Sequence, residues 1–117
     1  MRGHHAESLR YGQQALAVAR RVGVPRTLAW ALGEVASALN SHRRFDESRR
    51  GFEEAVALAR GMGDTVLMVT LLNNLAVANG GAGDLDAAER SYSEALALAR
   101  VHSGRLLVIF LLNDLIR

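Results

Sequence analysis

The sequence predicts an all-α fold in which about six antiparallel helices stack into an α/α superhelix. The motif ALAVAR at residues 15–20 returns as AVALAR at 55–60 and as ALALAR at 95–100. A second motif, LLNNL at 71–75, returns as LLNDL at 111–115, and ALGEV at 31–35 stands in the same register. Both motifs therefore recur every 40 residues. A period in this range is typical of a solenoid built from helical hairpins.

The period divides the chain into one domain, residues 1–117, made of two whole repeats and two half repeats. We expect helices near residues 3–22, 25–41, 45–61, 64–80, 84–101 and 104–117. Residues 25–61 and 64–101 are whole repeats, each with a first and a second helix. Residues 3–22 are a second helix alone, and residues 104–117 are a first helix alone.

Apolar residues at three- and four-residue spacing predict the buried side of each helix. In the first helices these positions are Leu28, Leu32, Val35, Ala36 and Leu39, then Leu67, Leu71, Leu72, Leu75 and Ala76. In the second helices they are Phe45, Phe52, Ala55, Val56 and Ala59, then Leu85, Ala88, Tyr92, Ala95 and Leu96.

Glycine, proline and aspartate mark the predicted helix ends. Gly23 and Gly63 are expected to end second helices, because glycine tolerates the backbone conformation found after a helix C-terminus. Pro25 suits a first helical turn, where no amide donor is needed. Asp64 and Asp84 are expected to cap the helices that follow them.

Composition excludes several function classes. The chain has no cysteine, a formal net charge of only +2, and no apolar run near the roughly 20 residues of a membrane span. It shows no charged leader with a cleavage site, so we expect a cytoplasmic protein. All 14 basic residues are Arg, which is what a GC-rich bacterial genome favours.

The sequence shows no catalytic constellation and implies no cofactor or metal. The four histidines, His4, His5, His42 and His102, do not coincide under the 40-residue shift, and we interpret them as surface residues. The glycines at 80–83 follow a helix rather than a strand and lack the Gly-Lys-Ser/Thr ending of a phosphate loop, so they are expected to form a turn.

The repeat pattern resembles that of tetratricopeptide repeats, helix-turn-helix units that stack into a right-handed superhelix with a concave groove. The matching residues are Leu72, Leu75, Ala76, Gly83, Leu85, Ala88, Tyr92 and Ala95. The long period is similar to that of repeats in large bacterial transcription regulators and in kinesin light chains. The chain departs from the family pattern at Arg43, where the family usually has a turn glycine.

The resemblance implies a ligand groove on the sides of the first helices that do not face the core. It assigns the groove to Trp30, Gly33, Glu34, Ser37, Thr70, Asn73, Asn74, Val77, Phe110, Asn113 and Asp114. Asn74 stands where family members that grip a peptide main chain commonly place asparagine. Two alternatives stay open. The asparagines either contact a ligand or face solvent and neighbouring helices, and Trp30 and Phe110 either anchor a ligand or pack at the ends of the stack.

The expected function is that of a protein–protein interaction module, part of a bacterial regulatory or signalling protein, which binds a peptide or protein segment in the groove. The alternative is an architectural spacer of a multidomain transcription regulator, with no ligand of its own. Nucleic acid is not the expected partner. Arg43, Arg44, Arg49 and Arg50 are dense, but they lack interleaved aromatic residues and are countered by acidic neighbours, with Asp46 placed to pair with Arg50.

The last predicted helix also suggests self-association, because residues 105–117 are apolar nearly all round. We expect a homodimer through this helix. The residues expected to mediate it are Leu107, Ile109, Phe110, Leu111 and Ile116. A closed twofold dimer and a head-to-tail continuation of the superhelix are both compatible with the sequence, since orphan half repeats stand at either side.

Overall fold

The chain forms five α-helices in the computed structural model, which describes the backbone of residues 2–116 and the side chains of 7–106, 108, 109, 112 and 113. The helices are α1 (Arg2–Val22), α2 (Pro25–Ser41), α3 (Phe45–Met62), α4 (Thr65–Gly81) and α5 (Leu85–Ile116). Residues 2–116 contain no strand, so the all-α prediction is confirmed. The ends of the first four helices agree with the predicted ends to within one residue. None of these helices is long and apolar enough to cross a membrane.

The helices form two layers. Each helix packs on the next one along the chain, and α2 also contacts α4. The helices α2 and α4, the first helices of the two whole repeats, therefore lie side by side in one layer, which we call the inner layer. The helices α1, α3 and α5 form the outer layer.

The core lies between the layers and is made of the apolar positions that the period predicts. Phe52, Val56 and Ala59 of α3 are buried in one cluster with Leu71 and Leu72 of α4. A polar contact crosses the same boundary, because the Ser48 hydroxyl donates a 2.7 Å hydrogen bond to the carbonyl oxygen of Ala36. Burying a hydroxyl costs little when it has such a partner.

The predicted caps and one predicted stop are confirmed in detail. A carboxylate oxygen of Asp64 accepts a 3.1 Å hydrogen bond from the Leu67 amide, and Asp84 does the same for the Ala87 amide. Gly63 adopts a left-handed conformation with φ of 67° at the end of α3. This conformation turns the chain from α3 into α4.

The predicted break near residues 102–103 is absent, because α5 runs without interruption from Leu85 to Ile116. Gly23 and Gly63 stand 40 residues apart, and both have a positive φ, of 75° and 67°. The next position in this register is Ser103, and Gly104 falls one residue late. A residue with a Cβ atom loses roughly 1–2 kcal/mol in the left-handed conformation. The fifth and sixth predicted helices therefore form one helix.

Part of the predicted buried stripe of α5 is exposed. Ala88 and Ala95 are buried against α4 as expected, whereas Leu85, Tyr92 and Leu96 lie on the surface. The equivalent face of α3, which carries Phe52 and Val56, is covered by α4. No helix of residues 2–116 covers this face of α5, because the segment that matches α4 continues along α5 instead of turning back.

Adjacent glycines at the end of α4 give a matched pair of substitutions. A Cβ atom at Gly81 would lie 2.5 Å from Cε1 of Phe45, whereas a Cβ atom at Gly80 would meet nothing within 4 Å. We expect Gly80→Ala to stabilise the fold by about 0.5–1 kcal/mol through helix propensity. Gly81→Ala should instead destabilise it by about 1 kcal/mol, because the ring must move. Urea unfolding measures both, and equal stabilisation by the two changes would contradict this packing.

The turn between α2 and α3 gives a second pair. Arg43 has a positive φ of 62°, and Gly83 has a φ of 85° one period later. We expect Arg43→Gly to raise the free energy of unfolding by about 1 kcal/mol, because it removes strain from the left-handed region. The reciprocal change Gly83→Arg should lower it by a similar amount. Thermal unfolding of both variants tests the assignment, and a loss of stability in Arg43→Gly would show that the Arg43 side chain contributes more than its backbone strain costs.

Candidate functional site

The inner layer presents two rows of side chains in the same register. Trp30, Glu34 and Ser37 are exposed on α2, and Thr70 and Val77 are exposed on α4. The row on α4 also includes Asn74, which stands 40 residues after Glu34 and is half-buried. Because the rows lie one 40-residue period apart and α2 contacts α4, they form one continuous surface on the inner layer. The structure thus brings together the groove residues predicted on α2 and α4, with Asn73 beside the row.

The two asparagines of α4 keep their side-chain amides available. Asn73 is exposed and Asn74 is half-buried. Neither side chain makes a hydrogen bond to any other part of the described chain. Thr70 differs, since its hydroxyl donates a 3.1 Å bond to the carbonyl oxygen of Val66 in its own helix. A primary amide both donates and accepts hydrogen bonds, so each asparagine offers the two interactions that a peptide main chain needs.

Gly33 has a packing role that the sequence did not indicate. It was expected on the groove surface, but it is buried, and a Cβ atom there would lie 3.1 Å from Cδ2 of Leu71. The absent side chain lets α2 and α4 approach closely. Gly33 therefore lies beneath the groove surface and sets the separation between its two rows.

The remaining predicted site residues lie on the distal part of α5. Asn113 is exposed there and does not stand on a third inner helix, since α5 is continuous. Ile109 is also exposed. The side chains of Phe110 and Asp114 in the groove set, and of Leu107, Leu111 and Ile116 in the self-association set, lie outside the described residues.

Two clefts open on the outer layer, one period apart. A cleft of about 560 Å³ lies between α3 and α5, with Leu72 and Leu75 of α4 among its lining residues. A cleft of about 330 Å³ lies between α1 and α3, with Leu32 and Val35 of α2 in the equivalent positions. The two clefts are the joints between consecutive repeats. Their floors are apolar core side chains and their rims are charged.

At each of these clefts, an ion pair connects the two outer-layer helices. Arg20 of α1 pairs with Glu54 of α3 at 3.0 Å, and Arg60 of α3 pairs with Glu94 of α5 at 2.6 Å. The hydrogen bond to Glu54 raises the pKa of Arg20 above its ordinary value. Exposed pairs of this kind contribute roughly 0–1 kcal/mol each. Sequence reasoning missed them, although the 34-residue spacing recurs at the 40-residue period.

Acidic neighbours neutralise part of the arginine cluster at the start of α3. Arg44 pairs with Glu47 at 2.7 Å, and Arg49 pairs with Asp46 and with Asp84, the latter at 3.7 Å. The Arg44 guanidinium lowers the pKa of the Glu47 carboxyl, chiefly through its hydrogen bond. Asp46 therefore pairs with Arg49, three residues further along the helix, and not with the predicted partner Arg50. Two of the four arginines of the cluster, Arg44 and Arg49, are therefore held in ion pairs.

Antiparallel helical hairpins that stack in sequence, joined by turns containing a residue with positive φ, define the class of an α-solenoid. A family model described as tetratricopeptide repeat matches residues 27–101. This match covers more than half of the chain, so the protein belongs to the tetratricopeptide repeat family, as its repeat pattern predicts. Such repeats generally mediate protein–protein interaction. A search of the curated proteins finds no match.

The ion pairs around the arginine cluster predict poor binding of DNA. We expect only weak, non-specific affinity for duplex DNA, decreasing steeply between about 50 and 200 mM salt, because phosphate contacts release counterions. Asp46→Asn combined with Glu47→Gln should raise the affinity at low salt by freeing Arg44 and Arg49. Glu34→Gln combined with Glu89→Gln, two exposed positions outside these ion pairs, controls for the same change in net charge. Fluorescence anisotropy measures these affinities, and a submicromolar complex at physiological salt would contradict the expectation.

Proposed function

We propose that the inner layer binds an extended peptide or protein segment across α2 and α4. One observation carries this proposal: the side-chain amides of Asn73 and Asn74, in the middle of the inner-layer surface, make no hydrogen bond to any residue that the structure describes. Exposed apolar side chains flank them, since Trp30 and Val77 each leave about half of their surface in solvent. At the centre of this surface are side-chain amides that can bond to a peptide main chain, and apolar side chains lie beside them. Such a surface suits an extended peptide.

The spacing of the helices matches the repeat of an extended chain. Packed helix axes lie about 8–10 Å apart, and an extended peptide advances about 3.3 Å per residue. A peptide crossing the groove would therefore meet α2 and α4 about three residues apart. Asn74 would hold its main chain, while Trp30 and Val77 would cover apolar side chains. Glu34 gives the α2 row a negative charge and favours a basic residue or an amide donor there.

The proposed context is a non-catalytic module of a bacterial regulatory or signalling protein in the cytoplasm. The use of Arg for all 14 basic residues supports a bacterial source with a GC-rich genome. The fold supports an interaction role, because tetratricopeptide repeats generally act as interaction modules rather than as catalysts. The competing role is that of an architectural spacer, in which the groove has no ligand of its own.

A peptide selection followed by substitution tests the groove directly. Peptides selected from a random display library against the purified chain provide the ligand. We expect Asn74→Ala to weaken binding of the selected peptide by about 1–3 kcal/mol, roughly 5- to 150-fold, because buried main-chain groups lose their partner. The matched control is Gln14→Ala, which removes an exposed side-chain amide from α1 in the outer layer. Isothermal titration calorimetry measures both variants.

Two results would contradict the proposal. If Asn74→Ala and Gln14→Ala bind the selected peptide as the unchanged chain does, then the asparagines are merely surface residues. If repeated selections return no peptide whose binding depends on the inner layer, then the spacer role accounts better for the domain.

A further inference from the structure

The two clefts of the outer layer differ at two positions of the repeat. Asn79 and Ser91 line the cleft between α3 and α5. In the cleft between α1 and α3, the positions one period earlier are Leu39 and Gly51. The 40-residue period thus makes the two clefts a matched pair within one chain. In the cleft between α3 and α5, a side-chain amide and a hydroxyl replace a leucine and a glycine.

Both of these polar side chains are buried without a hydrogen-bond partner. Asn79 is 4% exposed and Ser91 is 8% exposed. Neither side chain makes a hydrogen bond to any residue that the structure describes. The buried hydroxyl of Ser48, in contrast, donates to the carbonyl oxygen of Ala36. Burial of an amide or a hydroxyl without a partner costs free energy, and a ligand in the cleft would supply the missing hydrogen bonds.

Two ion pairs connect the walls of this cleft. Arg49 of α3 pairs with Asp84 at the start of α5 at 3.7 Å, and Arg60 pairs with Glu94 at 2.6 Å. All four side chains line the cleft. Since Arg49 lies near the start of α3 and Arg60 near its end, the ion pairs stand at the two ends of the cleft. The charges at both ends are therefore already balanced.

Between the ion pairs, each wall carries one unpaired charge. Glu53 stands on α3 and Arg90 on α5, each between the two ion-paired positions of its wall. Both side chains are exposed and line the cleft. Neither forms an ion pair with any residue that the structure describes, so they do not reach each other. The middle of the cleft thus offers a carboxylate from one wall and a guanidinium from the other, above Asn79 and Ser91.

We propose that the cleft between α3 and α5 binds a free α-amino acid. The carboxylate of the ligand accepts hydrogen bonds from Arg90, in the bidentate geometry that a guanidinium favours. Its ammonium group donates to Glu53. From the floor of the cleft, the amide of Asn79 and the hydroxyl of Ser91 bond to the same two groups of the ligand.

The charge and the size of the cleft favour this class of ligand. Three arginines and three carboxylates line the cleft, so its formal charge is zero. A zwitterion neutralises both unpaired charges at once, whereas an anion or a cation would leave one of them unpaired. The volume of about 560 Å³ lies within the range of roughly 300–1,000 Å³ that is typical of small-molecule sites. This site lies in the outer layer and is separate from the groove of the inner layer.

A screen of free amino acids tests the ligand class. The purified chain is mixed with each standard amino acid at about 10 mM and its thermal unfolding is recorded, because a ligand that binds only the folded chain raises the unfolding temperature. We expect a subset of the amino acids to raise it, and isothermal titration calorimetry then gives their dissociation constants.

Derivatives of a binding amino acid test whether both of its charges are recognised. The N-acetyl derivative lacks the ammonium group, and the amide derivative lacks the carboxylate. Each should bind at least about tenfold more weakly than the parent amino acid, because each loses a charge-assisted hydrogen bond.

Asn79→Leu separates binding from folding. This change gives the cleft the residue that stands one period earlier, Leu39, which is buried at that position. We expect it to abolish amino-acid binding and to raise the unfolding temperature of the free chain, because a buried amide without a partner is removed. A variant that binds nothing and yet unfolds at a higher temperature has not lost binding through misfolding.

A matched pair of arginine substitutions tests the recognition of the carboxylate. Arg90→Gln should weaken amino-acid binding at least about tenfold, because a charge-assisted hydrogen bond is lost. Arg50→Gln makes the same change one period earlier, in the cleft between α1 and α3, and should leave the dissociation constant unchanged.

Four results would overturn the proposal. These are an unfolding temperature that no amino acid raises, derivatives that bind as tightly as the parent amino acid, equal effects of Arg90→Gln and Arg50→Gln, and a lower unfolding temperature of free Asn79→Leu. The last result would show that water or a neighbouring group already satisfies the amide of Asn79 in the free chain.

Discussion

The residue that follows each outer-layer helix must adopt a left-handed conformation for the superhelix to continue. Gly23 and Gly63 do so, and each turn returns the chain so that the next helix covers the one before it. Without this turn, the helical hydrogen bonds continue and the cover is lost. Ser103 occupies the third such position, α5 continues through it, and Tyr92 and Leu96 remain exposed.

The 40-residue period made most of the fold predictable. Three- and four-residue spacing indicated the buried sides of α1 to α4, glycine and proline marked several of their ends, and short polar side chains indicated the caps Asp64 and Asp84. The break at residues 102–103 was predicted wrongly because the 40-residue period placed a helix boundary there, whereas Ser103 stands at the position where Gly23 and Gly63 end the earlier helices. The burial of Leu96 was predicted wrongly for the same reason, since burial depends on a neighbour that local spacing does not describe.

For the candidate groove, the sequence predicted which residues occupy equivalent positions in the two repeats. It did not predict which of these residues reach the surface. The period placed Trp30 and Thr70 in equivalent positions, and the structure puts them on adjacent inner helices. Gly33 was predicted as a contact residue, and its actual role in helix packing depends on its distance from Leu71, which sequence alone does not give. The ion pairs Arg20–Glu54 and Arg60–Glu94 join helices that are not consecutive, so a search along single helices overlooked them.

Ion pairs between repeats recur in the outer layer. Charged side chains of the outer layer pair with one another across the joints, where they contribute little stability individually but disfavour wrong registers between repeats. On the inner layer, the side-chain amides of Asn73 and Asn74 make no hydrogen bond within the described residues, and Glu34 and Val77 are exposed beside them.

The conformation of Ser103 tests the central claim most directly. NMR of the isotope-labelled chain gives the ¹³Cα shift of Ser103 and the hydrogen-exchange rates of the amides at 102–105. The account predicts a helical shift and protection similar to that at residues 95–100, because α5 is continuous. A left-handed shift at Ser103 or Gly104, with unprotected amides like those of the turn at Gly63, would show that the hairpin closes despite the missing glycine and would contradict the account.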